Sequence, residues 1–213
     1  SACLVGSEMC IRDSTGFNRF AWDLHTEPPG GLAAVQDRRF FYIFYPMSIE
    51  GPQVLPGTYT LEVAAPGQTL RAPVTVLMDP RNTTARADLQ AQYDALAQLA
   101  ALQERVERTI AQLDALHAKI ARSHSAGLAG FDAAIAQQLD RVRNAEPSGY
   151  RAPAQLSEQI AYLRDTIEQY AGAPTQAQED FIKQYSDRMD AIAKDVDAML
   201  SANAREMQTL KAL

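Results

Sequence analysis

The feature that most constrains this chain is a change in composition near Asp79-Pro80. Residues 15–80 hold most of the prolines and glycines together with short alternating runs. Residues 81–213 are rich in Ala, Gln, Leu, Asp and Arg, and contain Gly and Pro only at intervals. Strands followed by helices along one chain indicate an α+β fold or two separate domains. We therefore expect a β-region over residues 15–80 and an α-helical region over residues 81–213.

Four helices are predicted in the second region, because apolar residues recur there at spacings of mostly three and four. Thr83 or Thr84 caps the first helix, which extends to about Ser123, and Pro153 starts the third. The four apolar stripes comprise Leu89, Tyr93, Leu96, Leu99, Leu102, Val106, Ile110, Leu113 and Ile120; Phe131, Ile135, Leu139 and Val142; Leu156, Ile160, Leu163 and Ile167; and Phe181, Tyr185, Met189, Ile192, Val196, Met199, Asn203 and Leu210. Two long helices that flank two shorter ones predict a mainly antiparallel four-helix bundle or a coiled-coil hairpin.

The fourth predicted helix carries the clearest local signals. Thr175 and Gln178 occupy the N-cap and N3 positions of a capping box. Glu179 lies in the first turn, where the helix dipole favours an acidic side chain. Asn203 falls within the apolar stripe, and we expect it to set the register of the helices at some cost in stability.

The β-region contains one clear hairpin, with Pro66-Gly67 as its turn. Apolar residues alternate along its two strands, at Tyr59, Leu61 and Val63 and again at Val74, Val76 and Met78, and we expect them to face inward. FNRFAWDL is a further strand candidate, with Phe20, Trp22 and Leu24 on one face. FFYIFY at 40–45 is apolar throughout, which predicts a strand buried on both sides. Three or four strands form only a thin sheet, so we expect an incomplete β-sandwich.

Residues 3–14, CLVGSEMCIRDS, do not fit a natural protein segment. A secretory signal has a basic start and a long apolar run, but Glu8 interrupts this run and no basic residue precedes it. Cys3 and Cys10 lack the CxxC spacing of a redox or zinc site. The codons that would encode the stretch resemble a sequencing-library adapter that ends in a transposase mosaic end. We therefore expect residues 1–14 to be adapter-derived and disordered, with natural protein starting near Thr15.

The candidate chemical groups favour structural roles. His25, His117 and His124 are scattered and lack the paired spacing of metal ligands. The helical carboxylates lie among Arg, Lys and Gln, as is typical of a solvated face. These carboxylates include Glu104, Glu107, Asp187 and Asp195.

Two further motifs have a functional and a structural interpretation. Ser123, His124 and Asp132 contain the residue types of a nucleophilic site, but no strand–turn–helix elbow presents the serine. Asn82-Thr83-Thr84 matches the N-glycosylation pattern, and helix capping is the favoured role. We therefore predict no catalytic, cofactor-binding or metal-binding residue in this chain, and no cofactor.

The net charge and the hydropathy of the chain limit the kinds of partner that we expect it to bind. The chain has 20 basic and 26 acidic residues and a net charge of −6. A mildly acidic chain with mixed signs argues against nucleic-acid binding, which requires a basic face. No uninterrupted apolar run approaches the roughly 20 residues needed to span a membrane.

Several stretches together resemble one known family. They are GFNRFAWDL, GPQVLPGTYTLEV, APVTVLMDPR and ADLQAQYDALAQL, with GYRAPAQLSEQIAYL and AGAPTQAQEDF further along. As a set they are similar to the C-terminal region of large secreted bacterial proteins built on sortilin-like β-propellers with BNR-type repeats, often labelled glycosyl hydrolases or exo-sialidase-like. In that family an immunoglobulin- or fibronectin-like sandwich follows the propellers, and a helical segment follows the sandwich. The FFYIFYPMSIEG insert departs from the family pattern.

The resemblance covers residues 15–213 and implies an α+β fold. A truncated immunoglobulin/fibronectin-like β-sandwich would occupy residues 15–80, and the helical bundle would occupy residues 81–213. The implied function is that of a non-catalytic accessory module, extracellular or periplasmic, which stabilises the missing N-terminal β-propeller of the same chain or mediates protein interaction. Because the propellers and any SxDxGxTW Asp-box are absent from this sequence, no hydrolase activity is carried over to a residue here.

Two alternatives stay open at this point. The chain is either the tail of a glycan-processing hydrolase whose active site lies in the missing propeller, or a self-associating coiled-coil module whose long helices dimerise.

Overall fold

The computed structural model describes residues 21–27, 51–65, 67–144 and 153–212. Within these ranges the chain is mostly helical, with one two-stranded hairpin ahead of five α-helices. The elements are β1 (Gly57–Ala65), β2 (Gln68–Val76), α1 (Arg86–Ser123), α2 (Ala129–Val142), α3 (Leu156–Glu168), α4 (Gln176–Ala202) and α5 (Ala204–Ala212). A short 3-10 helix, Ala126–Leu128, connects α1 to α2.

The expected α+β fold with a truncated immunoglobulin/fibronectin-like β-sandwich is wrong. A sandwich requires two sheets whose inner faces share a core. In the described part of the chain, β1 and β2 form a single two-stranded antiparallel sheet, and no second sheet packs on it. The alternating pattern correctly indicated that each strand has one apolar face. It could not show whether another sheet lies against that face, because this depends on contacts between distant segments.

The hairpin itself is confirmed. β1 and β2 pair antiparallel in a continuous register from Gly57↔Val76 to Ala65↔Gln68. Gly67 has a φ of 82°, a left-handed conformation that glycine adopts without steric cost, and this explains why the chain can reverse there.

The other predicted strands are not found among the described residues. FNRFAWDL does not form a regular strand over its described residues, since residues 21–27 make only an isolated bridge between His25 and Gln53. Leu24 interrupts extended structure there with a φ of 67°. Phe20, the FFYIFY segment and residues 1–14 lie outside the described residues.

The helices pack around one shared apolar core, with α1 at its centre because α1 contacts each of the other four. Residues of the predicted first stripe are buried from Leu96 to Ile120, and the predicted stripes of α2 and α3 are buried throughout. In α4 the buried stripe residues are Met189, Ile192 and Val196. Burial of one apolar face along each helix stabilises these helices far more than their intrinsic propensity does.

The helix termini confirm one predicted cap and correct another. At α4, the Gln178 backbone N–H donates to Thr175 Oγ1 at 3.3 Å, and the Thr175 N–H donates to Gln178 Oε1 at 2.9 Å, as in a capping box. At α1 the N-cap residue is Ala85, which has no capping side chain, so the predicted cap at Thr83 or Thr84 is wrong. Asn82 Oδ1 instead accepts a hydrogen bond from the Thr84 N–H at 2.9 Å.

Asn203 ends a helix, which the sequence did not predict, and its expected role in setting the register stays a prediction. It is the C-cap residue of α4, and its Nδ2 donates to the Met199 carbonyl at 2.8 Å. Asparagine side chains compete with helical hydrogen bonds in this way, which disfavours them inside a helix. The fourth predicted helix is therefore divided into α4 and α5, so the described residues form five helices where four were predicted.

We predict that Leu113→Ala destabilises the protein by about 2–5 kcal/mol, because the fully buried side chain would leave a cavity at the centre of the bundle. Urea unfolding followed by far-UV circular dichroism measures the change. Leu77→Ala is the matched control, since Leu77 is 80% exposed and its truncation should cost less than about 0.5 kcal/mol. Equal destabilisation by both substitutions would contradict the described core.

Candidate functional site at the hairpin and its junction with the bundle

The hairpin has two chemically different faces. Residues directly opposite each other on paired strands project to the same side of a sheet. One face carries the pairs Tyr59↔Val74, Leu61↔Ala72 and Val63↔Leu70. The other face carries Thr58, Thr60, Glu62, Thr69, Arg71, Pro73 and Thr75. The sheet is therefore strongly amphipathic.

The apolar side of the hairpin is uncovered. Leu61 is 41% exposed, Val63 49%, Leu70 58% and Val74 36%, although the sequence predicted that the apolar residues of both strands face inward. We call these four residues the hairpin apolar face. A contiguous exposed patch of branched apolar side chains is typical of a surface that binds another protein or domain.

The opposite side of the hairpin has the character of a solvated surface. Arg71 Nε donates to Glu62 Oε2 at 2.7 Å across the strands, and both side chains are at least half exposed. An exposed ion pair of this kind contributes little to stability. The charged groups of β1 and β2 thus lie on the side away from the hairpin apolar face.

Aromatic and polar contacts hold the base of the hairpin. The Trp22 ring meets Tyr59 edge-on, with 5.7 Å between ring centroids, and the Tyr59 hydroxyl donates to the Leu55 carbonyl at 2.6 Å. Burial raises the pKa of Tyr59, so the hydroxyl remains a proton donor throughout the neutral range. Arg86, the first residue of α1, donates to the Pro56 carbonyl at 3.4 Å and joins the hairpin to the bundle.

A cleft of about 290 Å³ lies where the hairpin base meets the bundle. Its hairpin side includes Val54, Val76 and Met78, and its helical side includes Leu89 and Tyr93. On the helical side of the cleft, α1 is joined to the end of α3 and to the residues that follow it. Gln92 Nε2 donates to the carbonyl of Ile167 at 2.7 Å and also to that of Tyr170.

Each carboxylate of this cleft has a basic side chain beside it. Asp79 and Glu168 are the carboxylates that line it, and no Ser, Cys, His or Lys belongs to the lining among the described residues. Hydrogen bonds from the Arg81 side chain and backbone hold the pKa of Asp79 below its usual range, so Asp79 is an ionised, already engaged acceptor. Glu168 lies 3.5 Å from the Arg164 guanidinium. General acid–base catalysis requires a group poised near the working pH, and the engaged Asp79 does not meet that requirement.

A buried polar cluster joins α1 to α3 inside the bundle. Ser157 Oγ donates to Glu107 Oε1 at 2.6 Å, and Gln103 Nε2 donates to Glu107 Oε1 at 2.8 Å and to Ser157 Oγ at 3.1 Å. Gln103 and Ser157 are fully buried, and Glu107 is nearly so. The serine has no route to a substrate, so this arrangement is structural.

The prediction that Glu107 lies on a solvated helix face with Glu104, Asp187 and Asp195 is therefore wrong for Glu107. Glu104, Asp187 and Asp195 are indeed exposed and pair with basic side chains. Gln103 and Ser157 were not predicted to be buried. The available signal was spacing, because Gln103 and Glu107 follow Leu99 and lie four residues apart beside the apolar stripe.

The three histidines and the possible nucleophile set do not assemble into one site. His117 Nδ1 lies 2.7 Å from Asp132 Oδ1, so Asp132 pairs with His117 and not with His124. His124 ends α1 in a left-handed conformation, and Ser123 Oγ donates to the Ile120 carbonyl at 2.7 Å. Within the described ranges, no cluster of three or more His, Cys, Asp or Glu side chains has the arrangement of a metal site.

None of the described helices combines the length and apolar character of a membrane-spanning segment. No family model, curated protein or solved structure matches this chain. The resemblance to the propeller-associated family therefore stays a prediction from the sequence stretches that carry it.

We predict that Ser157→Ala destabilises the protein by about 1–3 kcal/mol, because it removes a hydroxyl donor from the buried Glu107 carboxylate. Ser201→Ala is the matched control. Its exposed hydroxyl donates only to the Asp197 carbonyl within the same helix, so its loss should change stability by about 0.5 kcal/mol or less. Thermal and urea unfolding compare the two variants. A Ser157→Ala protein as stable as Ser201→Ala would show that the cluster contributes nothing to folding.

Proposed function

We propose that this chain is a non-catalytic accessory module of a secreted bacterial β-propeller protein, and that it binds another domain of that protein through the hairpin apolar face. The observation that carries the proposal is the exposure of Leu61, Val63, Leu70 and Val74 on one side of the sheet. The family resemblance supplies the identity of the bound domain, a β-propeller preceding this chain, and an extracellular or periplasmic location.

An uncovered two-stranded sheet supports this role on energetic grounds. A lone hairpin is marginally stable in water, and a sheet with an apolar face normally gains stability by packing that face against a second layer. Burying the exposed parts of four branched side chains would contribute roughly 3–6 kcal/mol, since full burial of one Val or Leu side chain contributes about 1.5–3 kcal/mol. A partner domain that covers the hairpin apolar face would supply this second layer.

The bundle then acts as the support for the hairpin. Its core is complete within one chain, since the stripes of α1, α2 and α3 are buried against one another. Arg86 and Gln92 of α1 hold the hairpin base and the end of α3 in fixed positions. In this arrangement the bundle holds the sheet in one orientation, with the hairpin apolar face available to the partner domain.

The alternatives have less support from the geometry. Dimerisation through a coiled coil would need an apolar stripe on the outside of the bundle. The stripe of α1 is buried from Leu96 to Ile120, so of the two long helices only α4, where Phe181 is 45% exposed, retains part of such a stripe. The hydrolase-tail alternative places its active site in a propeller. It is compatible with the same docking role for this chain, so it differs only in the activity of the rest of the protein.

We predict that a quadruple substitution to threonine weakens binding to the propeller polypeptide encoded immediately upstream in the source genome. Threonine keeps the strand preference and removes apolar surface, so we expect the dissociation constant to rise roughly thirtyfold, as measured by isothermal titration calorimetry. The substitutions are Leu61→Thr, Val63→Thr, Leu70→Thr and Val74→Thr.

The matched control changes the other side of the same sheet. Thr58→Ser, Thr60→Ser, Thr69→Ser and Thr75→Ser together should leave the affinity within about threefold, because the polar face stays in water in the proposed complex. Equal affinity of the apolar-face variant and the unmodified chain would refute the docking surface. No binding by the unmodified chain would refute the proposed function.

A further inference from the structure

The Asp79–Pro80 peptide bond lies at the junction between the hairpin and the bundle, and the proposed function does not use it. It follows β2, which ends at Val76, and precedes α1, which begins at Arg86. It is also the one Asp–Pro bond in the 213-residue sequence. The side chain of Asp79 is 45% exposed, so water and protons reach it. Hydrolysis of this bond would therefore cut the chain at a single place, between its two parts.

An Asp–Pro bond is unusually labile in acid for two chemical reasons. The aspartate carboxyl group can attack its own backbone carbonyl, since this attack closes a five-membered anhydride ring. The proline nitrogen belongs to a tertiary amide, so it is more basic than other peptide nitrogens and leaves more readily once it is protonated. Together these properties allow hydrolysis without an enzyme.

The backbone around this bond forms a turn that favours the reaction. The Asn82 N–H donates to the Asp79 carbonyl at 2.9 Å, and Pro80 occupies the second position of this turn, where proline is preferred. Negative charge develops on the same carbonyl oxygen when the carboxyl group attacks. A donor that is already in place at such an oxygen stabilises the charge as it forms.

The side chain of Arg81 has the opposite effect, because it engages the attacking group. The Arg81 backbone N–H and Nε donate to Asp79 Oδ1 at 2.9 Å and 3.0 Å, and Nη2 donates to Oδ2 at 2.7 Å. Both carboxylate oxygens therefore accept hydrogen bonds. These bonds hold the pKa of Asp79 below its usual range, so the carboxylate stays ionised at pH values where a free aspartate is partly protonated.

We propose that Asp79–Pro80 is a self-cleavage site that acid activates, and that Arg81 restrains it. In the reaction a carboxyl oxygen of Asp79 bonds to the Asp79 carbonyl carbon, and the C–N bond to Pro80 breaks. The carboxyl proton passes through solvent to the proline nitrogen, which leaves as an amine. Water then opens the cyclic anhydride. The net change is the addition of one water molecule, and the products are residues 1–79 and residues 80–213.

The proton that this reaction requires determines the direction in which Arg81 acts. Since Arg81 lowers the pKa of Asp79, a smaller fraction of the carboxyl group is protonated at a given acidic pH than in a free aspartate. Removal of the Arg81 side chain therefore shifts cleavage to higher pH. Among the described residues, the other ionisable groups of the same cleft are Glu168, which lies 3.5 Å from Arg164, and Tyr93.

This inference goes beyond the proposed function and does not rest on it. A cut at this bond breaks the covalent connection between the hairpin, which carries the hairpin apolar face, and the helical bundle. In acidic surroundings the part of the chain that docks would no longer be covalently joined to the part that supports it.

The test compares the 213-residue chain with Arg81→Ala, Arg71→Ala and Pro80→Ala between about pH 3 and pH 6. Arg71→Ala is the matched control, because it removes an arginine from another exposed ion pair, with Glu62, and leaves Asp79 untouched. Pro80→Ala keeps the carboxyl group and replaces the leaving nitrogen by that of a secondary amide. Intact-mass spectrometry measures the rate of fragment formation, and circular dichroism identifies the pH values at which every variant is folded.

We expect the unmodified chain and Arg71→Ala to be cut slowly at the acidic end of this range, between Asp79 and Pro80. Arg81→Ala should be cut at least about threefold faster at about pH 4, with its rate profile displaced to higher pH. Arg81→Lys keeps the charge and loses the forked hydrogen bonds, so its rate should lie between those two. Pro80→Ala should give no fragments on the same time scale.

Several results would overturn the proposal. Equal rates for the unmodified chain and Arg81→Ala would show that Arg81 does not restrain the bond, and equal acceleration by Arg71→Ala would indicate a general effect of charge. Fragments from other bonds, or equal cleavage of Pro80→Ala, would place the chemistry elsewhere. Cleavage only after unfolding would show that the turn plays no part. Chains that stay intact throughout, with and without Arg81, would show that the site does not react.

Discussion

Packing along α1 is the interaction on which the rest of this structure depends. α1 has 38 residues and contacts each of the other four helices, and Leu99, Val106 and Leu113 of its stripe are completely buried. A solitary helix of this kind gains little from propensity alone, so its order comes from burying this stripe. The hairpin depends on the same helix, because Arg86 at its first turn holds the Pro56 carbonyl.

Apolar packing alone leaves the relative register of two helices weakly specified, since one branched side chain can often replace another in contact. The buried cluster of Gln103, Glu107 and Ser157 restricts the register of α1 and α3. Its hydrogen bonds, between 2.6 and 3.1 Å, form only when the two helices are in one alignment. A misaligned bundle would bury these polar groups without the same partners, which is energetically costly. The cluster therefore favours a single alignment of α1 and α3.

The proposed function follows from the contrast between the two parts of the chain. The helices bury a shared apolar core, whereas the hairpin has an exposed apolar face. This contrast suits a protein-binding module, because its binding surface stays exposed until the partner binds while the rest of the module is already packed. Among the described histidines, His117 pairs with Asp132 and His124 is the C-cap residue of α1.

The sequence by itself determined the features that depend on near neighbours. The 3–4 spacing located α1 to α4, the Thr175–Gln178 pair located a cap, and alternation around Gly67 located the hairpin, because each is set by interactions within a few residues. Only the tertiary structure decided that no sheet from the described part of the chain covers Leu61, that Glu107 is buried and that Asn203 ends a helix. Burial depends on which distant segments meet, and a periodic pattern shows that a face is apolar without showing what lies against it.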